Sequence, residues 1–238
     1  MIGHDTSLDA DERSFFADTV DALEREVFVD DLDRDHFGEL DRNEESAADW
    51  ETYVARMAEH DLLGIAVPES VGGPGGTVVE TVLAEQAVGY AGTIVHACQA
   101  SLTQHIGHTM YEHGSEHVHD RYLEPMLDGD LVVSQAYTEP GSGTDIAHAA
   151  TTAERDGDQW HITGEKRFID FARYGDCYFL PARTSGADGE RDGISLFVMP
   201  GDADGVEVLE DQSDWHGTTN SEMPSRSPSA PLVRAGKK

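Results

Sequence analysis

Two stretches of the sequence combine residue types that could hold an anionic or aromatic ligand. The first spans residues 137–145 and reads Tyr-Thr-Glu-Pro-Gly-Ser-Gly-Thr-Asp. Glycine lets a backbone approach a ligand closely, and successive backbone N–H groups with neighbouring hydroxyls can hold carbonyl or phosphate oxygens without a cationic side chain. On this pattern alone a plain structural loop is the simpler interpretation, because the same residues are common in turns.

The second stretch spans residues 164–170 and reads Gly-Glu-Lys-Arg-Phe-Ile-Asp. It places two adjacent cations, Lys166 and Arg167, in a chain that has only 16 lysines and arginines. The ring of Phe168 could lie flat against an aromatic ring system. The alternative is an ordinary strand in which Phe168 packs in the core and Lys166 forms a salt bridge.

Other catalytic or metal-binding motifs are not supported by the sequence. It contains neither a Gly-x-Ser-x-Gly elbow nor a His-Glu-x-x-His pair. The glycine-rich segment 72–76 is not followed by the Lys-Ser/Thr pair of a phosphate loop. Five histidines lie between residues 105 and 119, but no cysteine or acid pattern supports them as ligands, and no metal site is predicted.

The charge of the chain excludes several classes of protein. Its 238 residues include 47 acids and 16 bases, a net charge of −31. Such a surface repels nucleic acid and anionic lipid, and no apolar run approaches the roughly 18 residues of a membrane span. The balance indicates a halophilic protein of the cytoplasm, where salt screens self-repulsion. Cys98 and Cys177 have no metal-type spacing and fit a reducing compartment.

The elements that must position the two stretches change type along the chain. Apolar residues recur at helical spacing in the first half, for example Phe16, Val20, Leu23 and Val27. Thr77 is placed to cap a further helix. After Asp130 short β-branched runs alternate with turn signals, and the Asp-Gly pair at 156–157 predicts a hairpin. The predicted fold class is α+β, with an all-α helical domain followed by an antiparallel β-barrel or sandwich domain.

These patterns predict three segments. They are an N-terminal helical domain at 1–129, a middle β-domain at 130–223 and a basic tail at 224–238. The tail holds four bases and no acid, so the preceding residues carry all 47 acids against 12 bases, a charge of −35. A tail of this composition is predicted to be disordered or the product of a different reading frame, since the charge reverses at a domain edge.

Taken together, these segments resemble an acyl-CoA dehydrogenase. Residues 62–73 (Leu-Leu-Gly-Ile-Ala-Val-Pro-Glu-Ser-Val-Gly-Gly) resemble the signature of that family's N-terminal domain. Residues 137–145 resemble its flavin loop, Thr-Glu-Pro-Gly-x-Gly-Ser-Asp, and the segment with Phe168 follows at the family's spacing. The resemblance runs from about Leu8 to about Glu222.

The resemblance implies FAD-dependent α,β-dehydrogenation of an acyl-CoA thioester, in which a glutamate removes the α-proton and electrons leave to an electron-transfer flavoprotein. It assigns backbone N–H groups of Tyr137 and Thr138 to the flavin edge. Thr144 takes the place of a serine near the FAD pyrophosphate and the substrate. The complete set of cofactor-binding residues that it implies is Tyr137, Thr138, Gly143, Thr144, Phe168, Ile169 and Asp170.

Two departures from the family pattern affect the predicted activity. Asp170 stands where the family has threonine or serine near flavin N5, and a carboxylate can only accept a hydrogen bond there. The family's third domain, which carries the catalytic base, has no counterpart here, so we expect a truncated chain without a catalytic residue of its own. The homo-oligomer of the family is correspondingly doubtful here. The alternatives are a non-catalytic remnant with weak or no FAD binding, and an acyl-CoA oxidase or flavin monooxygenase of the same fold.

Overall fold

A computed structural model gives the backbone of residues 8–29, 44–92, 94–169, 172 and 175–207, and of four short strands in the last 27 residues. Side chains are described for 8–29, 50–92, 103–169, 172 and 175–207. The chain divides into two compact units. Unit 1 holds residues 1–108 and 124–130, and unit 2 holds residues 109–123 and 131–238.

Unit 1 is helical, as the sequence predicts. Its helices are α1 (Ala10–Ala22), continued by a π-helical turn (Leu23–Val27), α2 (Glu44–Glu59), α3 (Val78–Ala91), most of α4 (Ile94–His113) and the short α6 (Glu124–Leu127). Thr77 caps α3 as predicted, because its side chain accepts from the N–H of Glu80 while the Glu80 side chain accepts from the N–H of Thr77. Asp9 and Glu12 form the same reciprocal cap on α1.

The core of unit 1 is built from the apolar faces of these helices. Trp50 and Tyr53 lie on α2, and their rings meet with centroids 5.3 Å apart. Burial raises the pKa of the Tyr53 phenol far above its ordinary value. The fully buried side chains of this core include Leu23, Trp50, Tyr53, Met57, Leu63 and Ile106. No helix in the described part of the chain is long and apolar enough to cross a membrane.

Unit 2 contains the sheet and the short helical turns that precede it, α5 (Glu116–Val118) and the π-helical turn His119–Leu123. The strands with described side chains are β1 (Val133–Gln135), β2 (Thr152–Asp156), β3 (Gln159–Thr163), β4 (Cys177–Arg183) and β5 (Ile194–Pro200). Four more are described by backbone alone: β6 (Gln212–Ser213), β7 (Thr219–Asn220), β8 (Ser227–Pro228) and β9 (Ala230–Arg234).

The α+β class is confirmed, but the sheet is mixed where the sequence predicted an antiparallel barrel or sandwich. Its order is β8-β3-β2-β4-β5-β9, with β1 beside β4, and among the described strands this path does not close on itself. Strand β4 pairs parallel with both β1 and β2. The partners Val133 and Cys177 lie far apart in the chain, so no local turn signal could report their direction.

The hairpin between β2 and β3 is confirmed. Asp156 pairs with Gln159, and Gly157 takes a φ of +61° in the connecting turn, a conformation that glycine adopts at no steric cost. Strand β4 lies between β2 and β5 and is buried from Cys177 to Ala182. The core against this sheet consists of Ala136, Ala153, Ile162, Ile169, Ala172, Tyr178, Leu180, Ala182, Phe197 and Met199.

The segment 224–238 contributes two strands to the sheet. The backbone of β8 pairs antiparallel with β3, and that of β9 with β5. The side chains of these strands lie outside the described residues. The reading-frame origin predicted for this segment, and the boundaries at 129 and 223, stay predictions.

Candidate functional site

The stretch 137–145 forms a tight loop directly after β1. The backbones of Glu139 and Ser142 exchange two hydrogen bonds, from the N–H of Glu139 at 2.7 Å and from that of Ser142 at 3.2 Å. The Ser142 hydroxyl also donates to the carbonyl of Asp145, at 2.8 Å. Pro140 and Gly141 therefore sit at the tip of a closed turn, and Gly143 and Thr144 follow it with exposed surfaces.

The second stretch lies against this loop, so the structure brings the two candidate segments together. The N–H of Arg167 donates to the carbonyl of Thr138 at 2.8 Å. Gly164 makes the approach sterically feasible, because a Cβ on this residue would collide with the side chain of Thr151. The chain therefore turns at Gly164 and reaches Phe168 beside the loop that begins at Tyr137.

A buried ion pair joins the same segments. The Nζ of Lys166 lies 2.7 Å from Oε1 of Glu139, and each side chain is only 3% exposed. The ammonium also donates to the carbonyls of Pro181 and Tyr137, at 2.9 and 3.3 Å. The Glu139 carboxylate accepts in addition from the N–H groups of Ala150 and Thr151. The alternative interpretation of this stretch is therefore right about a salt bridge of Lys166, with Glu139 as partner, but wrong about Phe168, which is 61% exposed.

Burial and pairing act against each other on the ionisation of this pair. Burial raises the pKa of Glu139, but the Lys166 ammonium and the hydrogen bonds outweigh it and leave the pKa below its ordinary value. Burial also lowers the pKa of Lys166, against the opposing pull of the Glu139 carboxylate. Glu139 is therefore held as a fully hydrogen-bonded carboxylate, which makes it unsuitable as a mobile proton acceptor.

Phe168 and Ile169 face opposite ways at the end of the second stretch. The Phe168 side chain is 61% exposed, and its backbone has a φ of +55°. This left-handed conformation is unusual for a bulky residue and costs of order 1–3 kcal/mol. Ile169 is fully buried among the core residues of the sheet. Ile169 therefore offers no exposed surface to a ligand, whereas Phe168 offers a ring face.

Tyr137 and Thr138 are half-buried at the start of the loop. The Tyr137 ring packs 6.0 Å from that of Phe179, and burial raises the pKa of its phenol to about 12, against the opposing effect of a hydrogen bond with Gln135. The described hydrogen bonds use the carbonyls of both residues as acceptors, but none uses the N–H of either as a donor. These two N–H groups could therefore donate hydrogen bonds to a ligand.

Two glycines of the loop lie at uncrowded, exposed positions. A Cβ built on Gly141 or Gly143 would meet no atom within 4 Å. An exposed aromatic ring, two backbone donors and open space beside Gly143 are compatible with a flavin and its pyrophosphate. The described residues therefore fit FAD.

A neighbouring cluster was not singled out by the sequence. The Arg183 guanidinium donates to the carbonyls of Ala147, Glu190 and Ser185, the last two at 3.2 and 3.4 Å. His148 lies 2.9 Å from Asp145. Arg183 thereby ties the loop after β4 to the turn that follows Thr144. No motif marks an arginine at a strand end, so only the sheet register could have revealed it.

The remaining predicted site residue, Asp170, lies outside the described residues. The structure places Tyr137, Thr138 and Phe168 together through the Arg167–Thr138 bond, with Gly143 and Thr144 exposed on the same loop. Within the described residues, no group of three or more histidine, cysteine or acidic side chains could hold a metal ion.

Two family models match the chain over most of its length. Residues 11–130 match the N-terminal domain of acyl-CoA dehydrogenase, and residues 134–225 match the middle domain. The chain therefore belongs to the acyl-CoA dehydrogenase family, a family of oxidoreductases.

Curated relatives agree with this assignment. The CarC subunit of the caffeyl-CoA reductase–Etf complex of Acetobacterium woodii is 31% identical over 169 residues, 71% of this chain and 44% of the relative. The short-chain specific acyl-CoA dehydrogenase of Clostridium acetobutylicum is 31% identical over 150 residues, 61% of this chain and 38% of the relative. The chain thus spans less than half the length of these curated relatives.

Solved structures show the same fold. A probable acyl-CoA dehydrogenase from Mycobacterium abscessus superposes with a TM-score of 0.80 at 28% identity, over 95% of this chain and 59% of that one. Glutaryl-CoA dehydrogenase from Mycobacterium smegmatis gives 0.78 at 26% identity, over 98% and 58% of the two chains.

Proposed function

We propose that this chain forms the flavin-holding part of an FAD-dependent acyl-CoA dehydrogenase, which introduces an α,β double bond into an acyl-CoA thioester. One observation carries the proposal. The Arg167–Thr138 backbone bond places the exposed Phe168 ring beside the loop whose first two N–H groups have no described acceptor. Family membership supports the reaction class, and the geometry supports a flavin cradle formed by Tyr137, Thr138, Gly143, Thr144 and Phe168.

Each residue of the cradle has a separate role in this proposal. The N–H groups of Tyr137 and Thr138 donate to the polar edge of the flavin, where fixed dipoles stabilise negative charge. Phe168 covers one face of the ring system. Gly143 gives the pyrophosphate space, and the Thr144 hydroxyl can both donate to it and accept from a substrate amide. FAD, when bound here, accepts the hydride that leaves the β-carbon of the substrate.

We assign no catalytic base to the residues of this chain. The loop motif contributes two carboxylates. The oxygens of Glu139 are occupied by Lys166, Ala150 and Thr151, and Asp145 lies 2.9 Å from His148. A base must be free to receive a proton within hydrogen-bonding reach of the substrate. We therefore propose that the base is supplied by a segment outside this sequence, as the family resemblance implies.

The proposed electron acceptor is an electron-transfer flavoprotein. The name of the Acetobacterium woodii relative describes a subunit of a reductase–Etf complex. A chain in the structure titled as the electron transferring flavoprotein of Acidaminococcus fermentans matches 96% of this chain at 25% identity, with a TM-score of 0.77. These names support a flavoprotein partner, whereas an oxidase or monooxygenase would pass electrons to dioxygen.

Anaerobic addition of acyl-CoA to the FAD-loaded protein tests the proposal. We expect the flavin absorbance to shift as the thioester binds but not to bleach, because we assign the base to a segment outside this sequence. Bleaching by the chain alone would contradict the assignment of the base to another segment. Oxygen consumption without an added acceptor would favour the oxidase alternative. A protein that never takes up FAD would favour a non-catalytic remnant.

A further inference from the structure

We propose that Glu139 and Lys166 are positioning residues that set the geometry of the flavin cradle. This inference rests on the proposed function, since it concerns the loop assigned to FAD. Neither residue belongs to the predicted cofactor-binding set, and neither exposes the side chain that would touch a ligand. Their action is through the backbone of the residues that do.

The ammonium of Lys166 uses all of its donors within the protein. It donates to Glu139 Oε1 at 2.7 Å, to the Pro181 carbonyl at 2.9 Å and to the Tyr137 carbonyl at 3.3 Å. Its acceptors therefore lie on strand β4 and at two points of the loop. Because Lys166 holds the carbonyl of Tyr137, it fixes the peptide plane that carries the N–H of Thr138.

The carboxylate of Glu139 makes the remaining contacts of the pair. It accepts from the N–H groups of Ala150 and Thr151, which lead into β2. The pair thus connects the loop, the start of β2, strand β4 and the segment that ends in Phe168. The backbone N–H of Arg167, the residue after Lys166, donates to the carbonyl of Thr138, so the ring of Phe168 is placed relative to these same segments.

The energetics of buried ion pairs favour a geometric role for Glu139 and Lys166 over a stabilising one. Replacing both partners of a buried ion pair by apolar residues is often neutral or stabilising, so the pair is weak evidence for a role in stability alone. An apolar pair, however, cannot hold the Tyr137 carbonyl or the two N–H groups at 150 and 151. Directional contacts of this kind are what a preformed site needs from its supporting residues.

Composition gives an independent argument. The chain has three lysines, and Lys166 is the only one before residue 237. Elsewhere in this acidic sequence the cations are almost all arginine. A compact ammonium with three rotatable donors fits a closed site with three acceptors around one point, whereas the planar fork of arginine does not.

The test uses the double variant E139M/K166M in the full chain, at molar salt. We expect it to unfold at a lower urea concentration than the wild type, because four backbone groups lose a hydrogen-bond partner. Where it is folded, it should bind FAD about tenfold or more weakly and shift the reduction potential of the flavin that it holds. E165Q is the matched control, because Glu165 pairs with Arg167 at the surface, at 3.2 Å with about two-fifths of each side chain exposed. It should leave both flavin readouts unchanged.

The outcomes separate this inference from the proposed function. If the wild type binds FAD and the double variant binds it with the same affinity and potential, the positioning role is wrong while the proposed function stands. If the wild type binds no FAD, both are wrong. Should the double variant not fold, E139Q carries the test, at a salt concentration at which circular dichroism shows it folded despite the loss of stability expected for a broken ion pair. It preserves the length of the side chain and removes its charge, and the same loss of affinity and shift of potential are expected; unchanged values overturn the inference.

Discussion

Phe168 and Ile169 are neighbours in the chain, yet Phe168 is exposed and Ile169 is fully buried in the core of the sheet. The positive φ of Phe168 accompanies this arrangement, with the exposed ring next to a residue anchored inside. A backbone strained in this way persists only when its surroundings hold it in place, and such strain is often found at ligand-binding sites. We interpret the pair as the device that presents an aromatic face to the flavin.

Relief of this strain gives the first prediction. Phe168→Gly is expected to be more stable to unfolding than Phe168→Ala by about 1 kcal/mol, because glycine tolerates a positive φ and alanine does not. Both variants lose the ring, so FAD binding should weaken in each by about 1 kcal/mol, roughly fivefold in Kd. Urea unfolding and FAD titration measure the two effects on the same samples. Equal stability of the two variants would count against backbone strain at this position.

The open space beside the loop gives a second prediction. A Cβ on Gly143 or on Gly141 meets no atom within 4 Å, so Gly143→Leu and Gly141→Leu should change the unfolding free energy little. Gly143→Leu should raise the Kd for FAD by roughly tenfold, about 1.4 kcal/mol, since it fills the space assigned to the pyrophosphate. Gly141→Leu, at the tip of the turn, is the control. A similar loss in both variants, or in neither, would contradict the placement of the cofactor at Gly143.

The buried ion pair predicts a specific pH dependence of stability. The folded-state pKa of Glu139 is below the ordinary value of 4.5, so its ionised form stabilises the fold above that pH, and this contribution is lost as the pH falls through the folded-state pKa. The folded-state pKa of Lys166 is below its ordinary value of 10.5, so the unfolded chain holds this proton more tightly than the fold does. The resulting cost to stability is relieved as the pH rises toward 10.5.

Glu139→Gln measures this contribution. At neutral pH it should lower the unfolding free energy by about 3–5 kcal/mol, because it leaves the Lys166 ammonium buried without its counter-ion. The difference from the wild type should shrink as the pH falls well below 4.5, where Glu139 of the wild type is protonated as well. Unfolding midpoints across this range provide the measurement, and a difference that does not change with pH would show that Glu139 is not ionised in the fold.

The net charge of −31 predicts a strong requirement for salt. The Debye length shortens from about 10 Å at 0.1 M salt to about 3 Å at 1 M, so added salt relieves the repulsion among the surface carboxylates. We therefore expect the thermal midpoint, followed by circular dichroism, to rise steeply between these concentrations of KCl. Sucrose, which stabilises folded proteins without screening charge, is the control. An unchanged midpoint in KCl would contradict the halophilic interpretation.

Local signals in the sequence predicted much of the fold. Thr77 predicted the start of α3, and the Asp156-Gly157 pair predicted the β2–β3 hairpin, because caps and tight turns depend on residues a few positions apart. The parallel pairing of β1 with β4 was not predictable in this way. It depends on contacts between residues that are distant in the chain, and these leave no periodic trace.

The candidate site, like the fold, was predictable from the sequence only in part. Its two stretches could be found from glycines, hydroxyls and the isolated cations. The sequence could not predict that Lys166 pairs with Glu139 or that Phe168 has a left-handed backbone, since neither residue type indicates a partner or a positive φ. The contribution of Arg183 is a further case, because its acceptors are backbone carbonyls that any residue could supply.

Titration of the purified chain with FAD in molar salt tests the central claim most directly. A single flavin should bind per chain, with quenching of its fluorescence and an altered visible absorbance band, and the midpoint of unfolding should rise with the concentration of free FAD. A protein that is folded by circular dichroism, yet shows neither saturable quenching nor a shift of its unfolding midpoint, would contradict a flavin cradle formed by residues 137–145 and Phe168.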